Sequence, residues 1–473
     1  MILRFNPIKD ATITNAQDEW FVEAHEDANL GGSDILETYA LYDRDGNESM
    51  ELSRFLVGFD FPAIFTDLGT IDFAKTKFVL KFTNAPHGET LPINFSLELH
   101  QITTAWDEGE GLDFETLSDT GGVCWTNATD ALAWTIDGGD FSVGSKTVTF
   151  ADGDENLEID ISDWVANWYA HPEVSLGILI KFPDAIETGD TSYFTKRFFA
   201  RTSNYFYKRP ILEVQIDDVV SEYREEGRER FRLDSVLYAA TDNYLYYYNR
   251  PRRVLEDIPN NGDGDPITIT VNLEDEDGDG VVTGLVPEWV ETGVYRVAAR
   301  LPATYPDATG FDKWYITGVS AAFYCGTFNI CGEANTTFTP QKSILSIKNH
   351  KSVYYFDEFS RLDVDAVPYG WNPNVFVSYY NDGRSEKLNL PDTYYRVTRD
   401  VDNYIVCAPS YQEEENHTKL SYDDDGNFFN FKFSILEPGY MYTFSFVTLI
   451  DGKFYFHPEQ FKFRVEKDKV RHS

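Results

Sequence analysis

The chain has 473 residues, with 79 Asp and Glu against 40 Lys and Arg, for a formal net charge of −39 at pH 7. That balance excludes binding to a phosphate backbone, which needs Lys and Arg, and disfavours an anionic membrane surface. Hydrophobic residues at 42% and aromatic residues at 16% supply material for several cores, so disorder driven by charge is excluded as well.

At about 150 residues per domain the length suits about three domains. The opening stretch MILRFNPIKDATIT lacks a cleavable leader pattern, because its apolar run is short and broken by Arg4, Asn6 and Pro7. No window approaches the ~18 apolar residues of a membrane helix. The expectation is a chain made and assembled in the cytosol. Its four cysteines are too few for a disulfide framework and are expected as thiols. Cys124 and Cys407 sit in apolar surroundings and read as small core residues. Cys325 and Cys331 are close enough in sequence to pair under oxidation.

Strand signals then dominate in chain order. Residues 95–99 (FSLEL), 178–182 (ILIKF) and 461–465 (FKFRV) alternate apolar and polar side chains, the period of a half-buried strand. Asp45-Gly46, Asp152-Gly153, Asp382-Gly383 and Asp451-Gly452 supply the positive-φ positions of tight hairpins. Long helical patterns are nearly missing, and short helical turns are predicted at residues 161–168 and 221–232. Residues 221–235 (SEYREEGRERFRLDS) are charge-dense and lack an apolar face, so they read as a linker or short exposed helix. They close a first domain of residues 1–218. A second domain of residues 219–340 joins this linker to a small β unit over 266–340, with the preceding LYYY run as a further strand candidate. Residues 341–473 form a third domain with about seven strand-like runs, the number of an immunoglobulin-like sandwich. The predicted fold is all-β, a jelly-roll sandwich followed by two immunoglobulin-like sandwiches.

Motifs in the first domain carry a resemblance. Asp10-Ala11-Thr12-Ile13 opens it, Asn29-Leu30-Gly31 follows, and then the strand from Ser53 through Arg54 to Phe59-Asp60. Next come the Trp106-Asp107-Glu108 turn, the Trp-rich GGVCW loop, WTIDGGDF and LEIDISDWVANW. Phe199-Ala200-Arg201 and Arg209-Pro210-Ile211-Leu212-Glu213-Val214 close the series. In this order they resemble the DNRLRE-type β-sandwich, a jelly-roll module of bacterial surface proteins and virions. The match covers a little under half of the chain. The later segments NPNVFV, NHTKLSYDDDGNFFNF, ILEPGYMYTFSF and FKFRV are similar to the C-terminal part of uncharacterised virion structural proteins of large, T4-like tailed phages, especially marine ones. The resemblance implies a module that displays, adheres or scaffolds, and makes Trp106-Asp107-Glu108 a structural turn.

Candidate sites need weighing against ordinary structure. Asp275, Asp277 and Asp279 with Gly280 match the start of a calcium loop, D-x-D-x-D-G. The twelfth position is Val286 where a bidentate Glu belongs, so a solvated hairpin turn competes with a Ca²⁺ site, and no cofactor is expected. Asp107, Glu108 and Glu110 flank Trp106, a grouping compatible with sugar hydrolysis, but 79 acidic residues make such pairs common by chance. There is no G-x-S-x-G, no H-x-x-x-H among the eight His and no Gly-rich phosphate loop. Trp125, Trp134, Trp164 and Trp168 suit either a sugar-stacking platform or a core. Tyr244, Tyr246 and Tyr248 lie in a run, Tyr244 to Tyr248, that cannot bury both strand faces in one core, so they are the interface candidates.

These readings lead to one expectation and two alternatives. The expectation is a non-enzymatic virion structural protein of a tailed phage, an accessory of head, neck or tail, located in the virion. Its partners are other virion proteins or further copies of itself, with neither nucleic acid nor membrane. The first alternative is a carbohydrate-binding adhesin that uses the jelly roll on a host surface glycan. The second is a glycan-processing enzyme.

Overall fold

The structure is a computed structural model that describes residues 1–17, 25–44, 46–88, 91–112, 121–220, 236–238, 242–249, 255–258, 268–302, 309–331, 343–368, 390, 392–412, 415–423, 426–450 and 453–467. The chain divides into two compact units, Ile2–Asp217 and Asp218–Ser473, the latter including Met1. The predicted linker at 221–235, the Asp-Gly pairs at Asp45, Asp382 and Asp451, and the NPNVFV segment lie outside the described residues.

The first unit contains β1 (Ile2–Phe5), β2 (Lys9–Thr14), β3 (Ile35–Tyr42), β4 (Met50–Gly58), β5 (Thr76–Phe82), β6 (Phe95–Ile102), β7 (Asn127–Thr129), β8 (Leu132–Ala133), β9 (Phe141–Phe150), β10 (Leu157–Asp160), β11 (Ile178–Lys181), β12 (Tyr193–Phe199) and β13 (Ile211–Ile216). One sheet has the order β1-β13-β5-β10 and the other β12-β3-β4-β11-β6-β9, with β2 added on β4. Setting aside β2, β3, β12 and the small β7-β8 hairpin leaves eight strands. In chain order these pair first-eighth-third-sixth in one sheet and second-seventh-fourth-fifth in the other. That is the double Greek key of a jelly roll.

Between the sheets lies a core rich in Phe. Phe55 meets Phe82 and Phe198 at centroid distances of 5.5 and 5.7 Å, and Phe150 stacks on Phe95 at 5.0 Å. Two helices add residues to this core. The first, α1 (Phe61–Leu68), starts because the Asp60 carboxylate accepts the Ala63 N–H at 3.1 Å and Pro62 fits the first turn. The second, α2 (Ser162–Ala170), lies over the turn expected at 161–168. Phe61 of α1 packs on Trp168 of α2 at 4.6 Å.

β11 departs from its predicted alternation. All four of its residues are buried, including Lys181 at the polar position. The Lys181 ammonium meets Asp184 at 2.7 Å and Glu187 at 3.0 Å, and Glu187 also binds Arg54 at 2.7 Å. A charge is tolerated there because it is paired.

The second unit holds two sandwiches. In the first, one sheet has the order Val236–Tyr238, Tyr324–Cys331, Thr309–Ile316, Ile269–Glu274, Gly280–Leu285, and the other Asp242–Tyr248, Val294–Arg300, Glu288–Glu291. The Tyr-rich strand thus belongs to this sandwich. Leu245, Val271, Trp314 and Phe328 fill its core. In the second sandwich one sheet has the order Ser343–Ile347, Phe359–Pro368, Gly426–Lys432, Ser421–Asp423. The other runs Val353–Tyr355, Phe461–Glu466, Met441–Ile450, Thr393–Arg399, Tyr404–Cys407, with Lys453–Phe456 added on Met441–Ile450. In both sandwiches a short early strand runs parallel to the closing one, at Val236↔Asn329 and Val353↔Arg464. Among the described residues all other pairings there are antiparallel. This is the strand order of immunoglobulin-like sandwiches.

Candidate functional site

The motif residues of the first unit converge on one clasp. The Asp10 N–H on β2 donates to Glu108 Oε1 at 2.7 Å. The Asp10 carboxylate in turn accepts the Arg201 N–H at 2.7 Å through Oδ2. The Arg201 guanidinium forks onto Glu108, with Nε to Oε1 at 2.5 Å and Nη2 to Oε2. Asn29 Nδ2 donates to the carbonyls of Glu108 and Val123, both at 2.7 Å, while its Oδ1 accepts from Gly31 and Gly111. A Cβ on Gly31 would collide with the Glu108 carbonyl, so this crossing of two loops requires Gly there. Trp106 is buried, donates Nε1–H to the Leu176 carbonyl at 3.0 Å and lies 4.2 Å below the Lys9 ammonium.

Electrostatics follow from this packing. Asp10 is 1% exposed. Burial raises its pKa to about 7, against the opposing Arg201 N–H and with help from the Glu108 charge. The Glu108 hydrogen bond raises Arg201, and burial lowers Lys9. Both Glu108 oxygens accept hydrogen bonds within the clasp. Asp107 and Glu110 stand beside it in the same loop. Trp125, Trp134, Trp164 and Trp168 are buried, so their rings form core and not a sugar platform.

The acidic run of the second unit is the hairpin between Ile269–Glu274 and Gly280–Leu285. The Asp275 carboxylate accepts the Asp279 N–H at 2.7 Å, and Gly278 takes φ +87°. Asp275 thereby braces its own turn. Among the described residues no group of three or more His, Cys, Asp or Glu is placed to hold a metal ion.

The tyrosine reading needs correcting at one position. Leu245 and Tyr247 turn into the core, where Tyr247 packs on Trp314, Phe323 and Tyr324 at 5.2–5.5 Å. Tyr244 on the opposite face is 50% exposed, under the Arg296 guanidinium at 5.1 Å. Tyr246 is half-buried and stacks on Tyr248 at 6.5 Å. Tyr248, however, is only 4% exposed. Residues 255–258 fold back at that end of the strand, with Asn249 Nδ2 donating to the Glu256 carbonyl at 2.7 Å. Tyr248 is therefore no free interface residue. The cysteine reading is corrected too. Cys325 and Cys331 lie in one extended strand, Tyr324–Cys331, so their Cα atoms are about 20 Å apart at ~3.3 Å per residue. A disulfide needs roughly 4.4–6.8 Å.

No family model matches the chain, and no curated protein matches it. Solved structures give remote likenesses. The tandem Ig repeats of Dlar share 13% identity over 49% of this chain and 93% of that one, with a TM-score of 0.16. The N-terminal Ig1-2 module of the Drosophila receptor protein tyrosine phosphatase DLAR shares 12% over the same fractions, at 0.16. A DUF4785 family protein of Legionella pneumophila shares 8% over 97% and 92%, at 0.15. With scores this low, the fold assignment rests on the strand orders themselves.

Proposed function

We propose that the chain is a non-enzymatic structural component of a tailed-phage virion, an accessory protein of head, neck or tail that assembles through its β-sandwich domains. The observation that carries this reading is the clasp. Asp10, Asn29, Glu108 and Arg201 bond to one another. Glu108, one of the three carboxylates that flank Trp106, is thus spent on holding loops together with the motif residues Asp10, Asn29 and Arg201. A glycosidase needs one proton-bearing carboxyl and a second across the scissile bond. Asp10 has the raised pKa but is walled off from substrate, and Glu108 is neutralised by Arg201. All three sandwiches are scaffolds of the kind that carry surface contacts, and fold alone does not select among their uses. Like-charged copies at −39 stay apart until a specific contact forms.

Mass spectrometry of purified particles, with antibody labelling under the microscope, tests the reading. The chain should be found in stoichiometric amounts at one position of the particle. A chain found only free in the lysate, or one that turns over a polysaccharide, would overturn it. A glycan array run with the full chain addresses the adhesin alternative, for which Tyr205, at 61% the more exposed of Tyr169 and Tyr205, is the ring to mutate.

A further inference from the structure

We propose that β9 is a self-pairing edge through which two copies of this chain join their jelly rolls into one continuous sheet. The inference deepens the assembly reading above and rests on it. β9 is the last strand in the order β12-β3-β4-β11-β6-β9 and, among the described residues, pairs with β6 alone. It is ten residues long. Among the described residues the other edge strands are short, bridged or buried. β1 and β10 have four residues each, β12 is bridged by Asn84↔Phe198, and β2, added on β4, has six residues of which five are buried.

Long edges invite pairing unless charge, proline or a bulge blocks them. The sequence FSVGSKTVTF has no proline and no acid. Its one charge, Lys146, is held by Asp163 at 2.7 Å and lies 5.5 Å from the Trp164 ring centroid. The register shift sits opposite His100–Ile102, so residues 145–150 run in unbroken register along β6. One apolar side chain stands in water near the start of the strand, Val143 at 99% exposure.

Charge decides the occupant. A chain at −39 repels its own copy wherever carboxylates face each other, and β9 carries none. A basic segment, the natural partner elsewhere on this surface, finds nothing on β9 to hold it. A second β9 also fits by pattern. Thr147 and Thr149 on the outer face are exposed, while Val148 and Phe150 turn inward. A two-fold axis normal to the sheet at Thr147 keeps these faces aligned. It sets Thr147 opposite Thr147 of the other copy, Ser145 opposite Thr149, and Lys146 opposite Val148, so no like charges are paired. Ser96 and Thr149 already form a hydroxyl contact on that face at 3.0 Å.

Sedimentation of the full chain over a concentration series tests the proposal, together with hydrogen exchange of the 145–149 amides. The expected result is a reversible dimer whose amides exchange more slowly as concentration rises. Thr147→Glu places two carboxylates face to face and should weaken the dimer roughly tenfold or more. The melting temperature should hold, since Thr147 is exposed, and added salt should partly restore pairing. Thr147→Ser should dimerise like the parent. A chain that stays monomeric throughout, or a dimer indifferent to Thr147→Glu, overturns the inference. A β9 dimer missing from particles would instead sink the virion reading and leave this one standing.

Discussion

Replacing Asp10 with Asn puts the clasp under a direct test. Asp10 is almost completely buried, and its Oδ1 has no hydrogen-bond partner among the described residues. Burial, opposed by the Arg201 N–H and aided by Glu108, moves its pKa from 3.8 to about 7. The folded protein therefore holds this proton more tightly than the unfolded chain does. The linked stabilisation is complete below the unfolded value near 3.8 and is lost as pH rises through about 7. At ~1.4 kcal/mol per tenfold change, the difference amounts to about 4 kcal/mol of order-of-magnitude destabilisation once Asp10 ionises. Asn keeps an acceptor for the Arg201 N–H and presents an N–H where the acid proton sits. Calorimetry and tryptophan fluorescence against pH read the outcome, since most of the tryptophans belong to the first unit. The parent transition should fall between about pH 4 and pH 7 and level off above that, the Asn transition should stay level, and Asn should be the more stable at about pH 8. Parallel loss in both proteins would refute the reasoning. So would a large deficit of Asn at high pH, because either result means that Arg201 holds Asp10 charged.

Three further outcomes are expected. Glu213 is buried, yet Arg4 at 2.9 Å and Lys81 at 3.0 Å hold its pKa down at about 2. Its contribution is present above the unfolded value of 4.5 and lost as pH falls through about 2. Glu213→Gln should cost about 2–3 kcal/mol in urea unfolding at neutral pH, less than a fully buried pair because both partners are part-exposed. Chelation of divalent ions should leave the melting temperature of the full chain unchanged, since Asp275 braces its own hairpin; a large drop that Asp277→Asn abolishes would establish a Ca²⁺ site. A fragment of residues 1–217 should be soluble and melt cooperatively, because that boundary separates the compact units; aggregation would show that the jelly roll needs its neighbour.

The sequence made strands legible where a period-2 pattern is a local signal, whereas Asp152-Gly153 turns the chain from β9 in one sheet to β10 in the other and closes no hairpin. Residues 95–99 and 461–465 fall within strands, and the turn at 161–168 within a helix. The motifs Asp10, Asn29, Glu108 and Arg201 were visible as separate words, but their meeting was not, because it spans some 190 residues of chain. Lys181 read as an outward residue, since nothing local announces that Glu187 will cover it. Tyr248 misled for the same reason. Helix α1 hid behind the end of a strand, although Asp60 and Pro62 were a cap and first turn in plain sight. β9 looked like any other strand, because whether a strand is central or at the edge is set by which strands flank it.

The jelly roll closes by pairing its first strand with its last, Ile2 opposite Gln215 and Phe5 opposite Leu212. On a ribosome this order has a cost in time. At typical synthesis rates, the roughly 200 residues between the partners take about 10–40 s to emerge. Until then β1 has no neighbour, and β5 lacks the strand that separates it from β1. The nascent unit must wait with unsatisfied edges, so its yield in a host cell should depend on holding factors that shield such edges and on how fast the message is read.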